Sequence, residues 1–420
     1  MIVHKFGGGI LKNPEAIRRL VQLLAKMERP TVVVVSALNK MTNALERLVN
    51  AWVEGGDILT PLEAIRSYHL SMASALLDDH DISWERHLGP LFSELESELL
   101  SEPDAEYDAS YDRIIVYGEL LSTALIRTVL EEELVQHVHL DARHLIATDS
   151  TWRDGAVDWG STRRNIESLA LGRSGDDRLV LTQGFIGSDP EGHPVSLGRE
   201  GSDYTAAILG HSLDASEVWI WKDVPGVMNA DPVEFSDTRK LDDISYLEAI
   251  EMAFFGAKVL HPKTIKPLQN KQIPLWVKDF SSDRGEGTLI RHLEQMADQT
   301  PVFITKKNQV LITFQPRDFS FIVEEMLSGI FAALHKHRIK VNLMQHGAVS
   351  FTICVNNDPE RINLLISNLL PGFRILYNTG LELLTIRRYT QELIRKMTYD
   401  RRILIQQLSR KTARFVMVTG

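Results

Sequence analysis

Leu197-Gly198-Arg199-Glu200-Gly201-Ser202-Asp203-Tyr204-Thr205-Ala206-Ala207-Ile208-Leu209 is the stretch on which the reading of the fold turns. Two glycines, an arginine, a serine and an aspartate crowd together, and residues 205–209 continue as apolar, helix-compatible sequence. The pattern predicts a tight loop feeding a helix N-terminus, whose unpaired N–H groups suit an anion. Glycine lets the backbone approach that anion closely. Arg199 can fork onto a carboxylate or phosphate, and Asp203 can orient an ammonium group or a metal-bound water. The plainer alternative is a capped loop with Ser202 as N-cap.

Working outward, residues 178–186 (RLVLTQGFI) read as a buried strand, and Gly187-Ser188-Asp189-Pro190-Glu191-Gly192 as a hairpin returning to the loop. Residues 217–221 read as a further strand, with Lys222-Asp223-Val224-Pro225-Gly226 at its carboxyl end, where open α/β sheets hold ligands. At the start of the chain, residues 1–6 form a strand that runs into Gly7-Gly8-Gly9. A helix capped by Asn13, with Pro14 in its first turn and Ile17, Leu20, Val21 and Leu24 on one stripe, leads to the β-branched run at 31–36. This is a βαβ opening, with Lys5 at a strand end beside the glycines, where its amine can reach a phosphate. An exposed strand-end lysine is the alternative. Neither the dinucleotide fingerprint nor the GxxxxGK[ST] loop is present.

Residues 39–100 read as mostly helical, 101–110 as a polar break, and 117–125 as a helix with Glu119 near its start. Glu119 suits a substrate ammonium group or simply the helix dipole. Strands are expected at 135–140 and 274–277, and a helix at 244–255 leads to Gly256-Ala257-Lys258-Val259-Leu260-His261-Pro262. His261 reads as a packed loop histidine. The fold class is therefore α/β, an open and mainly parallel sheet flanked by helices. Beyond 285–287 the order of elements changes to βαββαβ over residues 309–377, a ferredoxin-like unit. A shorter βαββ set at 381–418 follows, with residues 302–305 as an orphan strand able to supply a missing edge.

The chain has 420 residues, 44% hydrophobic and 24% charged, which is ordinary for a soluble globular protein of several domains. Its single cysteine, Cys354, rules out an intrachain disulfide and argues against a Cys-based zinc site. No signal-peptide pattern and no apolar run of membrane-spanning length is read, so the expected location is the cytoplasm. Net charge is −10, yet residues 301–420 carry 17 Lys+Arg against 8 Asp+Glu. Those basic residues are scattered through periodic elements without interleaved aromatics, so neither nucleic acid nor membrane is expected as a partner.

Taken together, these stretches resemble the aspartate kinases of the amino-acid kinase superfamily. The resemblance rests on Lys5-Phe6-Gly7-Gly8, Val34-Val35-Ser36-Ala37, Gln183-Gly184-Phe185-Ile186-Gly187, the loop and helix start at 197–207, Lys222-Asp223-Val224-Pro225-Gly226 with Asp231-Pro232, and residues 255–262. The two C-terminal repeats look like tandem ACT regulatory units. The resemblance implies domains at 1–297 and 298–420, the first ACT unit at about 308–378 and a shorter second one at about 379–420, completed by 301–306 or by a partner chain. It implies transfer of the γ-phosphoryl group of MgATP to the β-carboxylate of L-aspartate, the start of lysine, threonine and methionine synthesis. Lys5 would neutralise the transferring phosphoryl group, Gly7 and Gly8 would bring N–H donors to it, and Asp203 would organise the reacting centre. Thr42, Glu119, Arg199 and Ser202 would hold aspartate. Ser36, Lys222 and Asp223 would border the nucleotide, and Lys258 would hold its phosphates. Asn342 and Gln345 would face an amino-acid effector. No residue is assigned as ligand of a resident metal, and a homodimer or larger homo-oligomer through the ACT units is implied.

The chain departs from the family pattern at Gly9-Ile10, where Thr-Ser is usual, at Glu200 in place of glycine, and at Val233 in place of arginine. In the first ACT unit Glu325 stands for glycine and Asn342 for an effector-binding aspartate. The carboxylate of Glu200 is expected to repel phosphate unless it points outward or meets Mg²⁺. Two other readings compete: another kinase of the superfamily, which the ACT-like pair argues against, and an inactive amino-acid sensor.

Overall fold

The computed structural model describes residues 1–77, 83–168, 177–257, 260–282, 287–294, 300–318 and 320–419. Lys258 and the expected domain boundary at 297/298 lie outside them. The chain divides into two compact units: Met1–Val227 with Lys240–Ile250 and Val259–Met296, and Met228–Arg239 with Glu251–Lys258 and Ala297–Gly420.

The first unit is built on β1 (Ile2–Phe6), β2 (Thr31–Val35), β3 (Val138–His139), β4 (Leu179–Gln183), the hairpin β5 (Ile186–Ser188) and β6 (Pro194–Ser196), β7 (Glu217–Lys222), β8 (Asp243–Ser245), β9 (Leu275–Asp279) and β10 (Gly287–Arg291). Its eight-stranded sheet runs β3-β4-β2-β1-β7-β9-β10-β8, parallel at every pair except β9/β10. All five residues of β2 and of β4 are buried, as strands covered on both faces require. The helix Pro14–Lys26 follows its sequence signals: Asn13 accepts from the Ala16 N–H, Pro14 sits in the first turn, and Ile17, Leu20, Val21 and Leu24 are buried.

Several sequence expectations are corrected here. The break read at 101–110 already contains the start of the helix Tyr107–Ile115, whose inward face is Tyr111, Ile114 and Ile115. The strand expected at 135–140 shrinks to β3. Strand β8, three residues long, is too short to show a period, and β10 begins at Gly287, among the glycines that mark the change of pattern in the sequence. The helix Gly201–Ser212 is flanked by Glu200, which takes the cap position without a side-chain bond, so Ser202 is inside the helix and is not its cap.

The second unit holds β11 (Val302–Pro316), β12 (Val341–His346), β13 (Phe351–Asn356), β14 (Phe373–Arg387), β15 (Ile403–Leu408) and β16 (Thr412–Val418), in the order β12-β13-β11-β14-β16-β15. Every neighbouring pair is antiparallel. Where the sequence suggests an orphan strand and a separate one, β11 is continuous, with a register shift between Lys306 and Gln309 around left-handed Asn308. Strand β14 is likewise one element where two were read, so residues 302–306 pair with 383–387 and residues 311–316 with 373–378. The helices Glu324–Lys336 and Pro359–Leu369 bury Ile330, Leu334, Ile362 and Leu365 against Val310, Ile312, Phe314 and Ile353. Residues from the earlier part of the chain belong to this unit: the Phe303 N–H donates to the Asn229 carbonyl at 2.8 Å, and the Arg414 guanidinium lies 4.9 Å from the Phe255 ring centre.

Candidate functional site

The first sheet reverses its winding at β1, which pairs with β2 on one side and β7 on the other. Such a switch point opens a crevice at the carboxyl ends of the strands, and the candidate residues gather there. Strand alternation sets Lys5 on the same face as Val3. That face meets the helix Gly201–Ser212, whose first turn carries Asp203. Lys5 Nζ is 2.7 Å from Asp203 Oδ1, and Lys222 Nζ, at the end of β7, is 3.3 Å from Oδ2. Lys5 is 8% exposed and Asp203 3%. Burial pushes the Asp203 carboxyl up, but Lys222 and Lys5 together outweigh it and hold it below its usual range. Two cations thus meet one carboxylate at the crevice, and cations are what a phosphoryl group needs.

Next to this centre lies a cavity of about 470 Å³, lined among others by Gly8, Ser36, Thr42, Glu119, Arg199 and Ser202. The resemblance assigns Thr42, Glu119, Arg199 and Ser202 to aspartate, Ser36 to the nucleotide and Gly8 to the transferring phosphoryl group, and the structure brings the six together. Gly8 is required by close approach: a Cβ there would meet the Ala37 carbonyl oxygen at 2.0 Å. Ser36 holds the end of β2 by donating to the Phe6 carbonyl at 3.3 Å. Gly7 lies beside the Lys5 amine, with room for a Cβ only 3.2 Å from Nζ. Asp223 is exposed in the loop after β7 and does not line the cavity.

Glu119 is 3% exposed, and its Oε1 accepts the Ala37 N–H at 3.2 Å. Its Oε2 has no hydrogen-bond partner among the described residues. Burial, opposed by backbone N–H bonds and by Lys5, pushes the carboxyl up to about 8, which favours the protonated acid at neutral pH. Arg199 is exposed at the rim. The wall also includes Asn39, Tyr111 and Arg153, which the sequence did not single out, and Phe185, which it gave only as part of a motif. Tyr111 and Arg153 come from segments far apart in the chain, joined by Asp112, whose Oδ2 accepts the Arg153 and Ser196 N–H groups, each at 2.9 Å. No spacing rule announces such a junction.

In the second unit, Asn342 is buried and Gln345 exposed. Asn342 accepts from Lys306 Nζ at 2.8 Å and donates to Gln309 Oε1 at 2.7 Å and to Asn356 Oδ1 at 2.8 Å. Apart from these sites, Asp189, Glu191 and His193 on the β5/β6 hairpin bring ligand-type atoms within 4.8 Å of one another. Asp189 there accepts the Glu191 and His193 N–H groups and the Ser150 hydroxyl, as a turn-closing residue does. No helix among the described residues is long and apolar enough to cross a membrane.

The amino acid kinase family profile matches residues 1–279. The lysine-sensitive aspartokinase 3 of Escherichia coli (strain K12) is 33% identical over 356 residues, 85% of this chain and 78% of that protein. The chloroplastic bifunctional aspartokinase/homoserine dehydrogenase 2 of Arabidopsis thaliana is 30% identical over 392 residues, but the chain spans only 42% of its length. Among solved structures, E. coli aspartokinase III in complex with aspartate and ADP superposes with a TM-score of 0.83 at 28% identity, over 100% of this chain and 96% of that one. The same protein with lysine and aspartate gives 0.81, over 99% and 95%.

Proposed function

The chain belongs to the amino acid kinase family, among its aspartokinases, and from that premise we propose how its crevice moves a phosphoryl group from ATP to the β-carboxylate of L-aspartate. The observation that carries the reading is the buried Lys5–Asp203–Lys222 cluster at the switch point, bordering a cavity that ends in Glu119 and Arg199.

An amino-dicarboxylate fits the cavity by charge. The ammonium group goes to Glu119, whose free Oε2 has no other partner among the described residues, and the α-carboxylate goes to the guanidinium fork of Arg199. Thr42 and Ser202 add hydroxyl donors along the side chain. The β-carboxylate oxygen then faces the β1 loop, where Gly8 leaves the backbone bare. That oxygen forms the new bond to the γ-phosphorus as the bond to the ADP oxygen breaks, with no protein nucleophile and no proton transfer. Catalysis is positioning plus charge stabilisation: Lys5 and Lys222 supply cations where the transferring phosphoryl group concentrates negative charge, and Asp203 fixes both amines in place. Ser36 and Asp223 border the nucleotide, and Lys258 contributes a further cation to its phosphates. The two lysines and the bare Gly8 backbone suit the polyphosphate, and Mg²⁺ bound with those phosphates would offset part of their charge.

The second unit is proposed as a tandem ACT regulatory region that pairs with a second copy. Its amino-acid effector binds weakly, because Asn342, engaged with Lys306, Gln309 and Asn356, brings no charge to an ammonium group, and Gln345 alone is left to meet it. The single buried cysteine fits a reducing cytoplasm.

The test is ADP release in the presence of Mg²⁺ with L-aspartate, L-glutamate or no acceptor. Release with aspartate well above the other two is expected. Equal release with glutamate, or none with either, overturns the assignment.

A further inference from the structure

Eleven non-glycine residues among the described ones have left-handed backbones, and four of them, Asn39, Arg153, Phe185 and Glu200, line the amino-acid cavity. A side chain with a Cβ is disfavoured there, and such residues concentrate where the surroundings gain something from holding them. Asn39 and Phe185 have evident local reasons. The Asn39 N–H donates to the Gly8 carbonyl at 3.0 Å and the Phe185 N–H to Thr205 Oγ1 at 2.9 Å, so both brace the loops of the site.

Arg153, with φ +63°, and Glu200, with φ +55°, differ in bringing charge. The Arg153 guanidinium uses one nitrogen for hydrogen bonding: Nη1 donates to Asp108 Oδ1 at 3.0 Å, and the group lies 4.1 Å from the Tyr111 ring centre and 5.8 Å from that of Tyr107. Its Nε and Nη2 have no hydrogen-bond partner among the described residues. The Glu200 carboxylate makes no hydrogen bond or ion pair with them either, and its Oε2 is buried. A fixed cation with unused donors and an anion with a buried unused oxygen thus stand in the wall of one cavity.

Valence says what they can take. An ammonium group carries three N–H donors, more than Glu119 Oε2 absorbs, and a carboxylate offers about four acceptor sites, of which one guanidinium fork uses two. We propose that Arg153 and Glu200 set the specificity of this pocket for an amino-dicarboxylate, Arg153 as a second guanidinium for a substrate carboxylate and Glu200 as a second acceptor for its ammonium group. The proposal rests on the aspartokinase reading and goes beyond it by naming the two charges that this chain places where a glycine fits the backbone best.

Glycine is the natural test substitution, since it relieves the left-handed backbone. Calorimetric titration of the full chain without nucleotide, with L-aspartate and with succinate, which lacks the ammonium group, separates the roles. Arg153→Gly should weaken both ligands by about tenfold or more, the scale of a charged hydrogen bond. Glu200→Gly should weaken L-aspartate by a similar factor and leave succinate unchanged or tighter. Asp108→Asn, which releases the guanidinium without removing it, should weaken both ligands less than Arg153→Gly does. MgADP affinity should stay within about twofold throughout. Unchanged L-aspartate affinity in Arg153→Gly and Glu200→Gly, or a Glu200→Gly effect confined to MgADP, overturns the proposal while the aspartokinase reading stands. Wild-type protein that binds no L-aspartate overturns both.

Discussion

Each of the two sheets buries a polar cluster, and the clusters close differently. Lys5, Asp203 and Lys222 form a contact of three charges with one in excess, beside Glu119 and Glu200, each with a buried oxygen that no described residue satisfies. Asn342, Gln309, Asn356 and Lys306 in the second sheet answer one another: Asn342 donates to both other amides, and Gln309 Nε2 donates to Asn356 Oδ1 at 3.0 Å. This second cluster joins β11, β12 and β13 where the register shifts after Lys306 and after Val341 interrupt the ladder. Its amides replace the pairing lost at the bulges. Both clusters are expensive to bury, so burial alone does not mark a ligand site. Unspent hydrogen-bonding capacity does, and only the first cluster has it.

The largest effect that would test this contrast is on turnover. Lys5→Ala removes one of the two cations from the phosphoryl position and leaves Asp203 to Lys222 alone. A fall in kcat of about a hundredfold or more is expected, the scale of losing one transition-state donor. Steady-state kinetics with saturating aspartate and ATP checks it, and a kcat within a few-fold of wild type would mean that the cluster is structural like its counterpart. Asn342→Ala should do the opposite. Leaving Gln309, Asn356 and Lys306 short of a partner should lower stability by about 1–3 kcal/mol in chemical denaturation, with kcat near that of wild type. If stability were unchanged and a response to an added amino acid disappeared, the amide cluster would be the ligand site.

The difference between the clusters also explains what could be read in advance. The β1 loop, the β-branched β2 and the loop at 197–203 were legible, because glycine, proline and apolar period are local signals. Gly8, Arg199 and Ser202 lie in those loops and Glu119 at a helix start, whereas Thr42 and the role of Ser36 came from the family resemblance alone. Arg153 was not legible, since its meaning depends on Asp108, Tyr111 and Asp112, brought in by a helix that a polar sequence disguised. The continuity of β11 and β14 was hidden for a related reason. Lys307-Asn308 and Asn378-Thr379-Gly380 fall between the strands read from the sequence, whereas the left-handed Asn308 and Gly380 sit within paired strands. A residue's role in a bulge is set by its partner strand, which sequence order does not name.

The smallest readout, one proton or less, concerns Glu119. Burial raises its carboxyl from 4.5 to about 8 in the free pocket, so near neutral pH the folded protein holds a proton that the unfolded chain has lost. The sign follows from linkage. Between about 4.5 and 8 the unfolded state binds fewer protons, so this group's contribution to stability falls as pH rises, by about 1.4 kcal/mol per pH unit at most. The contribution is fully present below the lower value. Glu119→Gln carries no such proton, so the stability of wild type minus that of the variant should decline across this window and level off above it. An ammonium group entering the pocket favours the charged carboxylate and should expel the proton. Calorimetric titration of L-aspartate at pH 7 in buffers of different ionisation enthalpy should therefore report release of close to one proton in wild type and markedly less in Glu119→Gln. Equal release from both proteins would place the ammonium group elsewhere, and would make Glu119, for all its unspent oxygen, a structural acid like the amides of the second sheet.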